Sequence, residues 1–232
     1  MLDQAFAALN VYDWGKNRPV LNPIDQAVVD THGDDAARKK LEARLTAVLS
    51  ADVTRAAKDF VCRKLRVVGT AESVPMLAAL LPQKDFSHMA RYALERMPAA
   101  EAAQALRDAL PKLHGELKIG VIGSLGVRQD EASIPALGAL VGGDDARVAR
   151  SAASALGDIC TPAAARALAA AKPDPMPVRA AVADASLSCA EALLADGKKG
   201  AARNIYKLLS GAEWPKQIRL AAMRGLLACA GN

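Results

Sequence analysis

The chemistry most openly written into this chain is positive charge at repeated spacing. Arg55, Lys58 and Arg63 come first, with Arg66 just beyond them. His88 and Arg91 follow, then Lys118, then Arg147 and Arg150, then Arg179, then Arg219. Stacked segments would bring these side chains into one row, a positive groove. Such a row attracts an acidic protein segment or a phosphate backbone. The competing use of the same residues is a solvated helix face with local ion pairs, such as Arg55 with Asp59 four positions on.

Bond-making chemistry is harder to find. His32, His88 and His114 lie in different parts of the chain, and no His-x-x-x-His spacing joins them. Gly123-Ser124-Leu125-Gly126 lacks the spacing of a nucleophile elbow and sits in a helical stretch. No glycine-rich phosphate loop is present. Asp184 is the one carboxylate well inside a later repeat helix, and its plainest reading is an exposed or arginine-paired residue. The sequence therefore predicts no catalytic residue, no metal and no cofactor. Binders of single-stranded nucleic acid interleave aromatic rings for base stacking. Aromatics are 3% of this chain, and Trp14, Tyr92, Tyr206 and Trp214 are scattered along it, which argues against nucleic acid. Trp14 and Trp214 are expected to close the two ends of a stack rather than to anchor a partner.

The four cysteines, Cys62, Cys160, Cys189 and Cys229, form no C-x-x-C pair, and the nearest two are 29 positions apart. Each lies among Ala, Val and Leu, so all four read as reduced packing residues.

The elements that must position the cations follow from composition. Hydrophobic residues are 52% of the 232, and about a fifth of the chain is Ala. Ala favours helix, whereas strands favour β-branched and aromatic residues, so an all-β sandwich or barrel is excluded. A charged fraction of 24% with mean hydropathy +0.09 is too apolar for disorder. Apolar runs stay short of the length a membrane helix needs. The net charge of +5 permits an anionic partner without demanding one. Met1-Leu2-Asp3-Gln4 does not begin a secretory leader, which sets a cytoplasmic expectation, or a periplasmic one had a leader been removed. The default oligomeric expectation is a monomer.

Internal repetition is the dominant signal. Leu94, Leu125 and Leu156 anchor similar segments at two successive intervals of 31. Val148 to Gly157, Val178 to Ala183 and Ile218 to Leu226 are further copies or extensions of the same pattern, and Ala57 to Leu65 is an earlier one. A second motif, Ser73-Val74-Pro75-Met76-Leu77, recurs as Ser133-Ile134-Pro135-Ala136-Leu137. Pro75 and Pro135 fall where a helix begins, since a first-turn N–H is not needed there. Each unit is thus two short helices, A and B. Turns are expected at Gly69-Thr70, Gly142 to Asp145, Pro173-Asp174-Pro175 and Asp196-Gly197, with Asp144 or Asp145 as an N-cap.

The Val-Arg-x-Ala-Ala-x-x-Ala-Leu-Gly style of Val148 to Gly157 and Ile218 to Leu226 resembles HEAT-like repeats of the phycobilisome-lyase type. The resemblance covers about residues 54–230. Tyr12 to Arg18 and Phe86 to Glu95 also resemble HEAT-repeat proteins of planctomycete and verrucomicrobial bacteria. The resemblance implies an all-α, right-handed superhelix of about five to six hairpins whose B helices line the concave face. Residues 1–51 are expected to cap the array and 52–232 to form it as one continuous domain, with a long helix from about Val178 to Leu194 and a last hairpin over 198–229. The function it implies is a non-catalytic protein-binding scaffold that meets an acidic partner. The alternatives are an accessory or catalytic relative of the phycobilin-lyase or DNA-glycosylase type, or a spacer within a larger protein.

Overall fold

The computed structural model describes residues 1–171 and 176–230. The turn expected at Pro173-Asp174-Pro175 lies outside them. Among the described residues there is no strand, and the fold is all-α, built from helical hairpins. The chain forms two compact units, residues 1–121 and 122–232.

Unit 1 opens with α1 (Leu2–Asn10), a turn through Trp14, a short 3-10 turn (Arg18–Leu21) and α2 (Asn22–Asp30). The first hairpin is α3 (Asp35–Ser50) with α4 (Arg55–Val68), and the second is α5 (Val74–Leu80) with α6 (Ser87–Leu94). Then come α7 (Ala100–Ala109) and α8 (Gly115–Val127). α3 packs on α5 and α5 on α7, while α4 packs on α6. The unit is therefore two layers, one of A helices and one of B helices.

Local chemistry fixes the hairpin ends. The Thr54 side chain accepts from the Ala57 N–H at 3.1 Å, capping α4, and its hydroxyl donates to the Tyr12 carbonyl. That second bond ties the N-terminal turn to α4. The turn between α4 and α5 is held from α3. Arg38 donates to the carbonyls of Val68 at 2.8 Å and Gly69 at 3.2 Å, where α4 runs out of partners. One turn along α3, the Glu42 carboxylate is 2% exposed and accepts both the Thr70 N–H at 2.6 Å and the Thr70 hydroxyl at 2.8 Å. Asp25 of α2 pairs with Lys64 of α4 at 2.5 Å and with Arg18 at 2.8 Å. Burial alone would raise the Asp25 carboxyl, but Lys64 and Arg18 hold it below its ordinary value. This pair thus adds stability above the carboxylate range and loses it as pH falls through that range.

Unit 2 continues with α9 (Ile134–Val141), α10 (Ala146–Ile159), α11 (Pro162–Ala170), α12 (Met176–Ala195), α13 (Lys199–Leu209) and α14 (Lys216–Ala230). α9 packs on α11 and α11 on α13, and α10 packs on α12 and α12 on α14. Pro75 and Pro135 enter the first turns of α5 and α9. Asp145 caps α10, accepting from the N–H groups of Arg147 at 2.9 Å and Val148 at 3.2 Å. Gly197 ends α12 with φ +76°, a left-handed turn in which the Lys198 N–H reaches the Leu193 carbonyl at 2.8 Å.

The sequence interval of 31 separates two glycines, Gly126 and Gly157, each of which meets the next B helix. A β-carbon added at Gly126 would lie 2.9 Å from the Ala155 Cα. One added at Gly157 would lie 3.0 Å from the Ala185 Cβ. Small residues at this register let neighbouring B helices touch backbone to backbone.

Cys62 and Cys189 are fully buried, and Cys160 and Cys229 are half-buried. Burial pushes the Cys62 and Cys189 thiols up to about 12, so neither forms the thiolate that alkylating reagents attack. Iodoacetamide at mildly alkaline pH should label Cys229 and Cys160 first, and Cys62 and Cys189 only after denaturant is added. Fast labelling of Cys62 in the native protein would contradict this packing.

Candidate interaction surface

Of the five cations on α4, four meet a ring from another segment. The Arg55 guanidinium lies 5.7 Å from the centre of the Trp14 ring. The Lys58 ammonium lies 4.9 Å from the Phe86 ring. Arg63 and Arg66 lie 5.5 and 4.5 Å from the Tyr92 ring, and Arg66 also donates to the Tyr92 hydroxyl at 2.6 Å. Trp14 is brought there by the Thr54–Tyr12 tie, and Phe86 and Tyr92 by the packing of α6 on α4.

Two expectations are corrected here. Asp59 pairs with Arg63 at 2.8 Å rather than with Arg55. An acid four positions before a base suits the helix dipole better than the reverse order, which Arg55–Asp59 would have been. Trp14 does not close the stack as a buried ring: it is 58% exposed and lies beside Arg55.

Other predicted residues of unit 1 are placed differently. His88 is exposed and Lys118 is half-buried. Arg91 is turned between helices, its side chain 17% exposed. It donates to the Gly120 carbonyl at 3.0 Å and lies 3.9 Å from Glu95. Burial pushes its guanidinium down, opposed by Glu95. The missing side chain of Gly120 leaves room for it, since a β-carbon there would meet the guanidinium at 2.6 Å.

In unit 2, Arg147 and Arg150 are exposed in the first turns of α10. Arg179 lies 5.6 Å from the Trp214 ring and donates to the Glu213 carbonyl at 3.2 Å. Trp214 donates its indole N–H to the Leu208 carbonyl at 3.1 Å. Arg219 is half-buried in α14. The positive row is interrupted along α10 and α12. Asp158 and Asp184 line a cavity of about 270 Å³ with Ser154 and Ser188. Burial pushes the Asp158 carboxyl up. The cavity contains no ring on which a nucleobase could stack.

The structure therefore brings Arg55, Lys58, Arg63 and Arg66 together, and gives Arg91 and Arg179 to internal contacts. Sequence reading missed the rings beside α4, because residues 14, 86 and 92 become neighbours only through the hairpin stack. It also missed Glu42, although an acid on a face with Leu41, Leu45 and Leu49 was a readable signal. Among the described residues, no group of three or more His, Cys, Asp or Glu is arranged to hold a metal ion, and no helix is long and apolar enough to cross a membrane.

No curated protein matches this chain. A solved structure of human deoxyhypusine hydroxylase in complex with glycerol superposes with a TM-score of 0.40 at 17% identity, over 81% of this chain and 95% of that one. Residues 106–187 match the family model described as HEAT repeats.

Proposed function

We propose that this helical-repeat protein is a non-catalytic binding scaffold, and that the α4 face of unit 1 receives an acidic protein segment. The observation that carries this reading is the set Arg55, Lys58, Arg63 and Arg66, held against Trp14, Phe86 and Tyr92. A ring beside a cation restrains it without neutralising it. These side chains keep their charge and have less freedom left to lose on binding. Asp59 is the one carboxylate on α4. From Arg55 to Arg66 the helix rises about 16 Å, the reach of roughly five extended residues.

The test is titration with a labelled aspartate–glycine peptide, which is acidic and stays extended. Arg55→Glu with Arg63→Glu should weaken binding about tenfold or more and flatten its salt dependence. Binding that ignores both salt and the double reversal would overturn the reading. So would tighter binding of a single-stranded oligonucleotide at the same face.

A further inference from the structure

The outer face of α14 carries three large apolar side chains in water: Leu220 is 47% exposed, Met223 49% and Leu227 74%. Their spacing is i, i+3, i+7, the seam by which one helix packs along another. The repeat register says what this face does elsewhere. Aligning Val148 to Gly157 with Ile218 to Leu227 places Met223 on Ala153 and Leu227 on Gly157. In α10 both of those positions are buried, and Gly157 lies against Ala185 of the next B helix, α12. In α14 the same positions hold larger apolar groups that are open to solvent.

Charge narrows the choice of occupant. α13 and α14 carry Lys199, Arg203, Lys207, Lys216, Arg219 and Arg224, and between Lys199 and Ala230 the one acid is Glu213. A second copy of this hairpin would set cations against cations. A bilayer surface takes a broad apolar face, whereas this stripe is one seam wide, with Lys216 and Arg224 exposed on the same side.

We infer that the α14 seam docks an acidic amphipathic helix of another protein, laid beside α14 as α12 lies beside α10. Its leucines would cover Met223 and Leu227, and its flanking carboxylates would face Lys216, Arg219 and Arg224. This surface lies in unit 2 and does not depend on the α4 reading.

The probe is a synthetic three-heptad helix with Leu at the seam positions and Glu beside them, followed by fluorescence anisotropy against the whole chain. The expected result is saturable binding that weakens with salt and falls about tenfold or more in Leu227→Glu and in Met223→Glu. Both seam residues are exposed, so the unfolding midpoint of each variant should match the parent, which separates lost docking from lost folding. Four results would each overturn the inference. They are no saturable binding, equal binding of a helix with Lys in place of Glu, a dimer in sedimentation that Leu227→Glu dissolves, and phosphatidylserine-vesicle binding lost in Leu227→Glu without any helix binding.

Discussion

Gly157→Leu should lower the stability of unit 2 by about 3 kcal/mol, the upper end of the usual cost of overpacking. The position is inside α10, where Leu is the better helix former by somewhat under ~1 kcal/mol. Propensity alone therefore predicts a gain. Packing reverses the sign. A β-carbon here meets the Ala185 Cβ at 3.0 Å and its Cα at 3.1 Å, and backbone cannot rotate aside as a long side chain can. The rest of a leucine would have to part α10 from α12. Gly123 in α8 is the matched comparison, because nothing lies within 4 Å of a β-carbon added there. Gly123→Ala should raise stability by roughly 0.5–1 kcal/mol. Denaturant unfolding followed by circular dichroism measures both. Opposite signs support the close B-helix contact, and a gain from both variants would mean the helices stand farther apart.

Glu42→Ala should cost about 3 kcal/mol. Its carboxylate is buried, and it is the acceptor for both the N–H and the hydroxyl of Thr70. Hydrogen bonds to a charged group contribute about 1.5–3 kcal/mol, and a donor left buried without a partner adds its own desolvation cost. Removing a buried charge recovers some solvation energy, but the N–H at the α4–α5 turn has no substitute in a short alanine. Glu42→Gln keeps one oxygen acceptor and should cost about half as much. Thr70→Val removes the hydroxyl and keeps the backbone N–H, so it should couple to Glu42→Ala in a double-mutant cycle through the one bond they share and cost less than Glu42→Ala by itself. A cost under about 0.5 kcal/mol for Glu42→Ala would show that the turn is held by something else.

Much of the architecture is legible in the residues, because helix pairs in a repeat are local structures. Pro75 and Pro135 mark helix starts, Asp145 marks a cap, and Gly197 marks a stop, each for a reason contained within a few positions. The interval from Gly126 to Gly157 is readable too, because a helix pair in contact needs a small residue at the same register in each copy. The surface is less legible. Nothing near Arg91 in sequence says that Gly120 leaves room for its guanidinium, 29 positions later. Trp14, Phe86 and Tyr92 look unrelated along the chain and meet α4 only once α6 packs on it and Thr54 draws in the Tyr12 carbonyl. Charge spacing identifies which helices carry cations. It cannot tell an arginine that faces water from one that fills the gap left by a glycine.

Fluorine NMR of the chain labelled with fluorotryptophan tests the binding reading most directly, since the sequence contains two tryptophans and so gives two signals. Trp14 lies beside Arg55 on the α4 face, and Trp214 lies in unit 2 beside Arg179. Titrating the extended acidic peptide should move the Trp14 signal to saturation, with a midpoint that rises with salt, and leave the Trp214 signal in place. A Trp14 signal that stays fixed while the peptide binds would place the acidic partner elsewhere and contradict the account.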